Sequence, residues 1–321
     1  MKRILVLEYS QSGDVSKAAT AFMAPFSRPG VQVHRERIQP VVPFPYPWGS
    51  VFRLFSIFPE CFIASSETIL PLSFQPDDRF DLVILAYQVW HLTPSIPIQA
   101  FFRSPYAQAL RDTPVITLCV SRNMWHSASE RIKVLLRNLA AIHLDNVVLT
   151  HQGPPFSTFV SVPRALLYGK RDRLWGIFPS AELSPRELDR MTRLGGVVAD
   201  RLNDIRPPYR PLLVGQSAVE VKWRYILPEI GGSYLYGAAA QVVARIGHRS
   251  PRLRRLSISL FAFLTFLVIG LGLPLFLLVE LLFYPLLCSR LRGYAQRLAA
   301  PSGSDPLPAE ASLLQSVQVS P

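Results

Sequence analysis

Short apolar runs alternate with amphipathic stretches along the first two thirds of the chain. Most runs are four to eight residues long and rich in aliphatic side chains, which is typical of strands buried in a parallel sheet. The run at 31–38 (VQVHRERI) instead alternates strictly, which indicates a strand near the sheet edge with one wetted face. The pattern predicts strands over 3–8, 31–38, 81–87, 114–120 and 146–150.

Helices are predicted between these strands. Residues 15–26 follow the first strand, and residues 127–143 place Ile132 and Leu136 on one apolar face. A capping box at Ser184–Glu187, with proline at the first helical position, predicts a helix that ends near Asn203. Strands and helices in this order predict an α/β fold with a doubly wound parallel sheet of five strands.

Two long insertions interrupt this pattern within a predicted domain of residues 1–204. Residues 39–76 are rich in proline and aromatic residues, too long for a plain connection and too apolar for a solvated loop. We expect them to fold over the sheet as a lid. Residues 154–179 combine aromatic and apolar residues with basic ones, and we interpret them either as a second wall of the pocket or as a segment on a membrane surface. Ordinary core-covering loops would fit both insertions equally well.

The composition shifts after residue 204. Residues 205–255 are interpreted as a linker and a basic juxtamembrane region, with a short helix over 233–246. Residues 256–279 then contain no charged side chain, and the apolar region 256–288 has one acidic interruption, at Glu280. No soluble surface helix has this pattern, so a helical membrane segment is predicted. The tail, 289–321, is basic at first and then small, polar and predicted to be disordered.

The membrane segment has two possible topologies. Residues 270–274 (GLGLP) divide it into arms over 256–269 and 275–288, each rising only ~21 Å against a hydrocarbon core of roughly 30 Å. Arginines flank both ends, and the positive-inside rule favours a re-entrant hairpin with both flanks in the cytoplasm. A tilted single pass from Leu256 to about Val279 is also long enough.

Composition and charge support a membrane protein with a cytoplasmic body. Apolar residues make up 49% of the chain, charged residues 17%, and the mean hydropathy is +0.23. The net charge of +12 is concentrated beside the apolar region without any nucleic-acid-binding motif, so no nucleic-acid partner is expected. The three cysteines have neither disulfide nor metal spacing, so no metal is expected. The short apolar start is no signal peptide, which predicts anchoring at the cytoplasmic face of the inner membrane.

Three loops leave the predicted carboxyl ends of strands, where ligands bind in parallel α/β sheets. The first places two hydroxyls, an amide and a glycine before a helix N-terminus, which favours a phosphate. The second and third combine tryptophans with polar donors, which suits a flat heteroaromatic ring. Together they predict a site for flavin mononucleotide (FMN), and the candidate binding residues are Ser10, Gln11, Ser12, Gly13, Val15, Gln88, Trp90, Asn123 and Trp125.

The segments LVLEYSQSGDVSKAA, YQVW-x-x-x-PSIP and SRNMW resemble the flavodoxin-like superfamily. More narrowly, the chain resembles the dialkylresorcinol condensing enzyme family of aryl-polyene and dialkylresorcinol pathways, over roughly residues 1–204. The resemblance implies strand order 2-1-3-4-5 and FMN at the strand ends. It also implies a redox role, the aromatisation of a 2,5-dialkylcyclohexane-1,3-dione to a resorcinol. The family's usual amide and hydroxyl after the glycine are here Asp14 and Val15.

In such a reaction a hydride leaves a ring carbon for the flavin while a base removes a neighbouring proton. His91 and His126 are the candidate bases, Arg122 is the candidate that stabilises the enolate oxygen, and Tyr87 could act as the acid. The expected substrate is a lipid-like cyclic dione or a quinone. Biosynthetic partner proteins and a homodimer are further expected partners. The alternative is a scaffold or binding module without FMN that recruits partners to the membrane, an interpretation that Asp14 and Val15 favour.

Overall fold

The computed structural model describes residues 1–63, 66–151 and 157–300. Its strands are β1 (Lys2–Glu8), β2 (Val31–Arg37), β3 (Leu82–Trp90), β4 (Thr93–Pro94), β5 (Pro114–Ser121) and β6 (Ile142–Thr150). Its helices are α1 (Asp14–Met23), α2 (Val51–Ser56), α3 (Phe58–Phe62), α4 (Ile96–Arg103), α5 (His126–Asn138), α6 (Thr158–Tyr168), α7 (Pro185–Asp200), α8 (Ile226–Arg249), α9 (Pro251–Leu267) and α10 (Leu273–Ala299).

The five long strands form one parallel sheet in the order β2-β1-β3-β5-β6, and the two-residue β4 pairs antiparallel with the end of β3. The predicted doubly wound sheet with order 2-1-3-4-5 is therefore confirmed. The order reverses between β1 and β3, where Ile4 pairs with Leu82 and Glu8 with Ala86. In doubly wound sheets ligands bind at such a reversal, outside the carboxyl ends of the strands.

Helices cover both faces of the sheet. On one face, α1 and α7 pack on side chains such as Ile4 and Ile84, and on the other face the lid and α5 pack on Leu5 and Leu85. The contact between α1 and α7 depends on Gly195, because a Cβ atom there would lie 1.8 Å from the carbonyl oxygen of Phe22.

The predicted end of the helix over 127–143 is wrong. The amphipathic pattern extends to His143, but α5 ends at Asn138 and β6 already begins at Ile142. Ala140, with φ of 56°, turns the chain, and its backbone N–H donates to the carbonyl of Arg137. The start of β6 contains His143 and Asp145, which are buried although they are polar, so it does not form the continuous apolar run expected of a strand buried on both faces.

Both insertions contain helices. The lid includes α2 and α3, and the second insertion includes α6 and a tight turn that is closed by an antiparallel bridge between Leu174 and Phe178. The insertions also contact each other, because the Trp48 backbone N–H donates to the carbonyl of Leu166 over 2.8 Å. Residues 154–156 of the second insertion lie outside the described residues.

The segment after α7 runs along the outer edge of β6. The carboxylate of Asp145 accepts hydrogen bonds from the backbone N–H groups of Leu212 and Leu213, at 2.7 and 3.1 Å. The Val148 N–H donates to the carbonyl of Ala218 at 2.9 Å. The segment then enters α8, which is longer than the helix predicted over 233–246 and packs against α3.

The apolar C-terminal region is helical. A π-helical turn, Val268–Gly272, connects α9 directly to α10, and it coincides with the glycine-rich division predicted between the two arms. Pro251–Gly272 is long and apolar enough to cross a membrane, and 17% of its most apolar window is buried in the rest of the chain. The predicted disordered tail after residue 300 lies outside the described residues.

Candidate functional site

The loop after β1 leaves the N-terminus of α1 accessible. Gly13 precedes the helix with φ of 91°, and a Cβ atom built on it would meet no atom within 4 Å. The first helical hydrogen bond runs from the Lys17 N–H to the Gly13 carbonyl at 3.0 Å, so the N–H groups of the first turn point off the helix end. Ser10 Oγ accepts from the Ser16 N–H at 3.2 Å, which leaves its own proton available for donation. The side chain of Val15 lies in the core, so only its backbone could contact a ligand.

The side chain of Asp14 lies buried at this helix end and is paired with two cations or potential cations. Arg171, from the second insertion, donates to its carboxylate and also to the carbonyl of Ser12 at 2.9 Å. His151 Nε2 lies 3.8 Å from the other carboxylate oxygen, to which Ser12 Oγ donates at 3.2 Å. Burial alone would raise the pKa of Asp14, but the nearby His151 ring and the hydrogen bond from Arg171 lower it below its ordinary value. Asp14 is therefore a neutralised anion.

An aromatic cluster lies beside the loop, formed by Tyr9, Phe44, Trp48 and Trp90. The ring of Trp90 contacts the other three edge-on, with centroids 4.9 to 5.9 Å apart. Two of these rings come from the lid, which crosses the first loop where Gln11 Nε2 donates to the carbonyl of Pro45 at 2.7 Å. The lid therefore covers the point where the strand order reverses.

Two buried donors in this region have no acceptor among the described residues. Gln88 Oε1 accepts from the Gln11 N–H at 3.3 Å, while Gln88 Nε2 has no partner. Trp48 Nε1, in the aromatic cluster, is also unpartnered. A buried donor without an acceptor is destabilising by about 1 to 3 kcal/mol. Such donors next to an accessible helix N-terminus are typical of a site that holds a polar ligand.

His91 follows β3 and is enclosed by the lid and the C-terminal helices. Its ring lies 5.3 Å from that of Phe55 and 5.9 Å from that of Tyr236. Burial lowers the pKa of His91 to about 4, although the hydrogen bond between Nε2 and the carbonyl of Leu54, at 3.0 Å, acts in the opposite direction. A neutral ring whose Nε2 proton is donated to Leu54 holds the lid in place. It would be a weak base near neutral pH.

Tyr87, the candidate acid, lies inside the sheet. Its side chain is fully buried in the core that also contains Cys119 and Ala128. Burial raises the pKa of Tyr87 well above its ordinary value. The hydroxyl therefore keeps its proton and lies in the interior of the fold.

The loop after β5 faces the C-terminal helices. Arg122 lies close to Tyr225 and Tyr236 of this region, and burial lowers the pKa of Arg122 to about 10 despite the opposing effect of these two phenols. Asn123 and Trp125 are buried, and the Trp125 ring packs in the core with its centroid 4.5 Å from the ring of His126. Arg122 is partly exposed, whereas the other candidate residues on this loop are buried, so it is the most accessible of them.

His126 is paired with a carboxylate that sequence analysis did not select. Its Nδ1 lies 2.9 Å from Glu229 Oε2, and both side chains are buried. The other Glu229 oxygen accepts from the Ser127 N–H at 2.6 Å, which fixes the carboxylate at the N-terminus of α5. Neither ring nitrogen of His126 has a hydrogen-bond partner of good geometry among the described residues, so the contact between Nδ1 and Glu229 Oε2 is a close approach and not a hydrogen bond.

The structure brings the predicted loops together through residues that the sequence patterns did not select. His151 donates its backbone N–H to the carbonyl of Ser121 at 3.1 Å and faces Asp14, so it connects the loop after β5 with the loop after β1. Arg171 and Glu229 each reach the site from a distant segment. Glu229 did carry a signal, because it is the one charged residue in the apolar stretch 225–241. Among the described residues, no group of three or more potential ligands could hold a metal ion.

Comparisons with known proteins found only distant structural similarities. No family model matches the chain, and no curated protein matches it. A flavodoxin from the domain Archaea is 11% identical, with a TM-score of 0.35, over 63% of this chain and 99% of that one. A flavoprotein in complex with FMN from Lactobacillus acidophilus is 15% identical, with a TM-score of 0.34, over 46% and 93%. An azoreductase from Bacillus anthracis is 10% identical, with a TM-score of 0.32, over 61% and 99%.

These likenesses are too low to carry an argument about activity, and the flavodoxin-like assignment stands on the strand order. The donor set itself fits FMN. The accessible helix end and the Ser10 hydroxyl suit a phosphate, and Arg171 offsets the charge of Asp14. The unpartnered donors Gln88 Nε2 and Trp48 Nε1 lie where a polar, flat ring could accept from them.

Proposed function

We propose that this chain is a membrane-associated, FMN-dependent oxidoreductase. The observation that supports it best is the pair of buried, unpartnered donors, Gln88 Nε2 and Trp48 Nε1, beside the accessible N-terminus of α1. FMN, when bound, supplies an acceptor for two electrons and one hydrogen transferred as hydride. The backbone N–H groups at the N-terminus of α1, next to Gly13, and the Ser10 hydroxyl would hold its phosphate. Tyr9 and Trp90 would exclude water from the ring.

The substrate we propose is a 2,5-dialkylcyclohexane-1,3-dione, converted to a dialkylresorcinol by loss of one hydride and one proton. His126 is the better candidate base, because a carboxylate oxygen of Glu229 lies 2.9 Å from its Nδ1 and neither ring nitrogen is occupied by a hydrogen bond among the described residues. The Arg122 guanidinium would stabilise the enolate oxygen. Both residues lie beneath the C-terminal helices, so a lipid-like ring would enter from that side.

Turnover would test this assignment. The FMN-loaded protein, kept free of oxygen, should lose the visible absorption band of oxidised flavin when the dione is added, and one resorcinol should form per flavin. A quinone in place of the dione should instead reoxidise the reduced protein. A protein that binds FMN but reacts with neither compound would contradict the proposed substrate class and leave the cofactor assignment intact.

The membrane association rests on the surface of α9 and α10. Between residues 256 and 283, which include the π-helical turn, the exposed side chains are almost entirely large and apolar, including Leu260, Phe263, Leu271, Leu275 and Leu282. A soluble monomer rarely exposes such a continuous apolar surface, whereas a bilayer would cover it. We place the protein at the cytoplasmic face of the inner membrane, where a lipid-like substrate would dissolve.

Both ends of this helical region contact the α/β body, which supports the hairpin topology. At the start of α9, Arg254 pairs with Glu60 of the lid at 2.6 Å. At the end of α10, Lys133 Nζ of α5 donates to the carbonyls of Arg297 and Leu298, at 3.3 and 3.1 Å. One folded body cannot lie on both sides of a membrane, so a single crossing between these contacts is disfavoured.

Thiol labelling would test the topology. A cysteine placed near Ser304, in a chain without native cysteines, should resist an impermeant thiol reagent in intact cells and react after lysis. Labelling in intact cells would establish the single pass instead. A second cysteine in place of Ser27, at the surface of the α/β body, is the matched control for reagent exclusion.

A scaffold without FMN is the second candidate, and the ion pair between Asp14 and Arg171 favours it. In this alternative the carboxylate takes the place of the phosphate, and the sheet serves to recruit biosynthetic partner proteins or a second copy to the membrane. The two functions differ in the visible spectrum, because a scaffold would be purified colourless and would not quench the fluorescence of added FMN.

A further inference from the structure

A tight turn of the second insertion displays two large apolar side chains to solvent. Trp175 is 79% exposed and Ile177 is 76% exposed. The turn is closed on both strands, since the N–H of Leu174 donates to the carbonyl of Phe178 at 3.2 Å and the reverse bond is 3.0 Å long. Trp175 and Gly176 both have positive φ, at 52° and 70°, which is the geometry of a tight hairpin turn. The two side chains therefore project from a fixed backbone.

The surroundings of this turn are basic. Lys170 and Arg173 are exposed, and the one acidic side chain between them, Asp172, is paired with Arg164 at 3.0 Å. Tyr168, at the end of α6, is also exposed. Tryptophan and tyrosine concentrate at membrane interfaces, and lysine and arginine beside them bind anionic headgroups. The turn combines both features.

The turn belongs to the end of the molecule that also carries the apolar helices. The second insertion leaves the carboxyl end of β6, and α6 contacts the lid through the bond between Trp48 and Leu166. The lid leaves the carboxyl end of β2 and packs against α9, where the rings of Phe58 and Phe261 stack at 4.3 Å. Turn and helices are thus attached to the same edge of the sheet.

We propose that the segment 168–178 is a second membrane contact, which binds the surface of a bilayer containing anionic phospholipid. This rests on the membrane association proposed above. Because Arg171 lies in the same segment and binds Asp14, contact with lipid would also hold the second insertion against the candidate phosphate loop. A bilayer fits better than a protein partner, because the exposed basic side chains of Lys170 and Arg173 lie next to the apolar tip, whereas the acidic Asp172 between them is paired with Arg164.

Lipid quenching of tryptophan fluorescence tests this in the full chain. Trp175 is exposed, whereas Trp48, Trp90, Trp125 and Trp223 are buried in the protein. In vesicles of brominated phosphatidylcholine and phosphatidylglycerol, part of the emission should be quenched, and this part should disappear in Trp175→Phe. The double variant K170E/R173E, which leaves the tryptophan in place, should lose at least half of that quenching. Without phosphatidylglycerol, wild type and double variant should be quenched equally weakly.

Each other result overturns the proposal in a recognisable way. If the chain floats with the vesicles but Trp175 is quenched by acrylamide and not by brominated lipid, the turn lies in water and the anchor alone holds the protein. If Trp175 becomes protected from acrylamide in detergent as protein concentration rises, the turn binds a second copy. Equal quenching with and without anionic lipid removes the role of Lys170 and Arg173. A chain that does not float at all refutes the membrane association itself.

Discussion

Replacing Asp14 by asparagine should strengthen FMN binding and lower the stability of the protein without FMN. Two unit charges about 4 Å apart interact by ~4 kcal/mol at an effective dielectric constant near 20, so a carboxylate beside a phosphate is strongly unfavourable. Arg171 offsets this in the wild type through its pair with Asp14. The neutral amide would remove the repulsion and leave the guanidinium for the phosphate. After screening we expect a gain of roughly 1 to 2 kcal/mol, about 5- to 30-fold in Kd.

The same substitution removes a buried ion pair. Because Arg171 keeps only a weaker acceptor, the free energy of unfolding without FMN should fall by about 1 to 3 kcal/mol. The paired state lowers the pKa of Asp14, so this stabilisation is present above the ordinary aspartate pKa of ~4 and is lost as pH falls below it. The stability difference between wild type and Asp14→Asn should therefore shrink in acid.

Both effects are measured on detergent-solubilised protein, by titration of FMN fluorescence and by thermal unfolding. Asp172→Asn is the matched control, because it removes an exposed carboxylate of the same insertion that pairs with Arg164 and not with the loop. It should change neither FMN affinity nor its salt dependence. If Asp14→Asn weakens FMN binding, or leaves it unchanged, the reasoning that places the phosphate at this helix end is refuted.

Three further predictions concern single residues. Gly13→Val should abolish FMN binding, because a β-branched residue is strained at φ of 91° and its side chain would fill the space at the helix end. Gly30→Val is the control, at φ of 81° in a turn remote from the site. It should lose similar stability and keep its FMN affinity in the same titration. Arg122→Ala should lower turnover of the dione far more than FMN affinity, and equal losses in steady-state rate and Kd would place Arg122 on the cofactor instead. Burial raises the pKa of Asp145 to about 7, so the stability of the wild-type protein should fall as pH rises from ~4 through 7. The melting temperature of Asp145→Asn should depend less on pH over this range. A pH dependence as steep as that of the wild type would contradict this.

The strands were predictable because parallel strands buried on both faces form continuous apolar runs. β3 and β5 illustrate this, since nearly every residue in them is buried. The start of β6 was missed because it contains the buried polar residues His143, Asp145 and Asn146 and therefore lacks a continuous apolar run. The left-handed conformation of Ala140 depends on tertiary packing and not on residue preference.

The candidate site could be predicted from the sequence only for the part of it that lies within a single loop. The residues of the first loop are contiguous, so their chemistry is visible in the sequence. Arg171 lies 157 residues from Asp14, and Glu229 lies 102 residues from Ser127. No local pattern connects such partners, because the fold alone determines which of the many arginines and carboxylates meet.

Some predicted roles changed once the environment of the side chain was visible. His91 and His126 both follow a tryptophan and look alike in sequence. His91 donates its Nε2 proton to the lid, whereas His126 lies with its Nδ1 2.9 Å from the carboxylate of Glu229. Tyr87 lies in β3, a strand that is buried on both faces, so its side chain necessarily lies in the interior. These roles in catalysis stay predictions until turnover is measured.

FMN binding by this fold is decided by an equilibrium titration of FMN against the full-length protein, freed of bound flavin and held in detergent. We expect the wild-type protein to quench FMN fluorescence with one site per chain, Gly30→Val to do the same, and Gly13→Val not to quench it. Absence of quenching by the folded wild-type protein, even in large excess over FMN, would refute FMN binding and leave the membrane scaffold as the function of this fold.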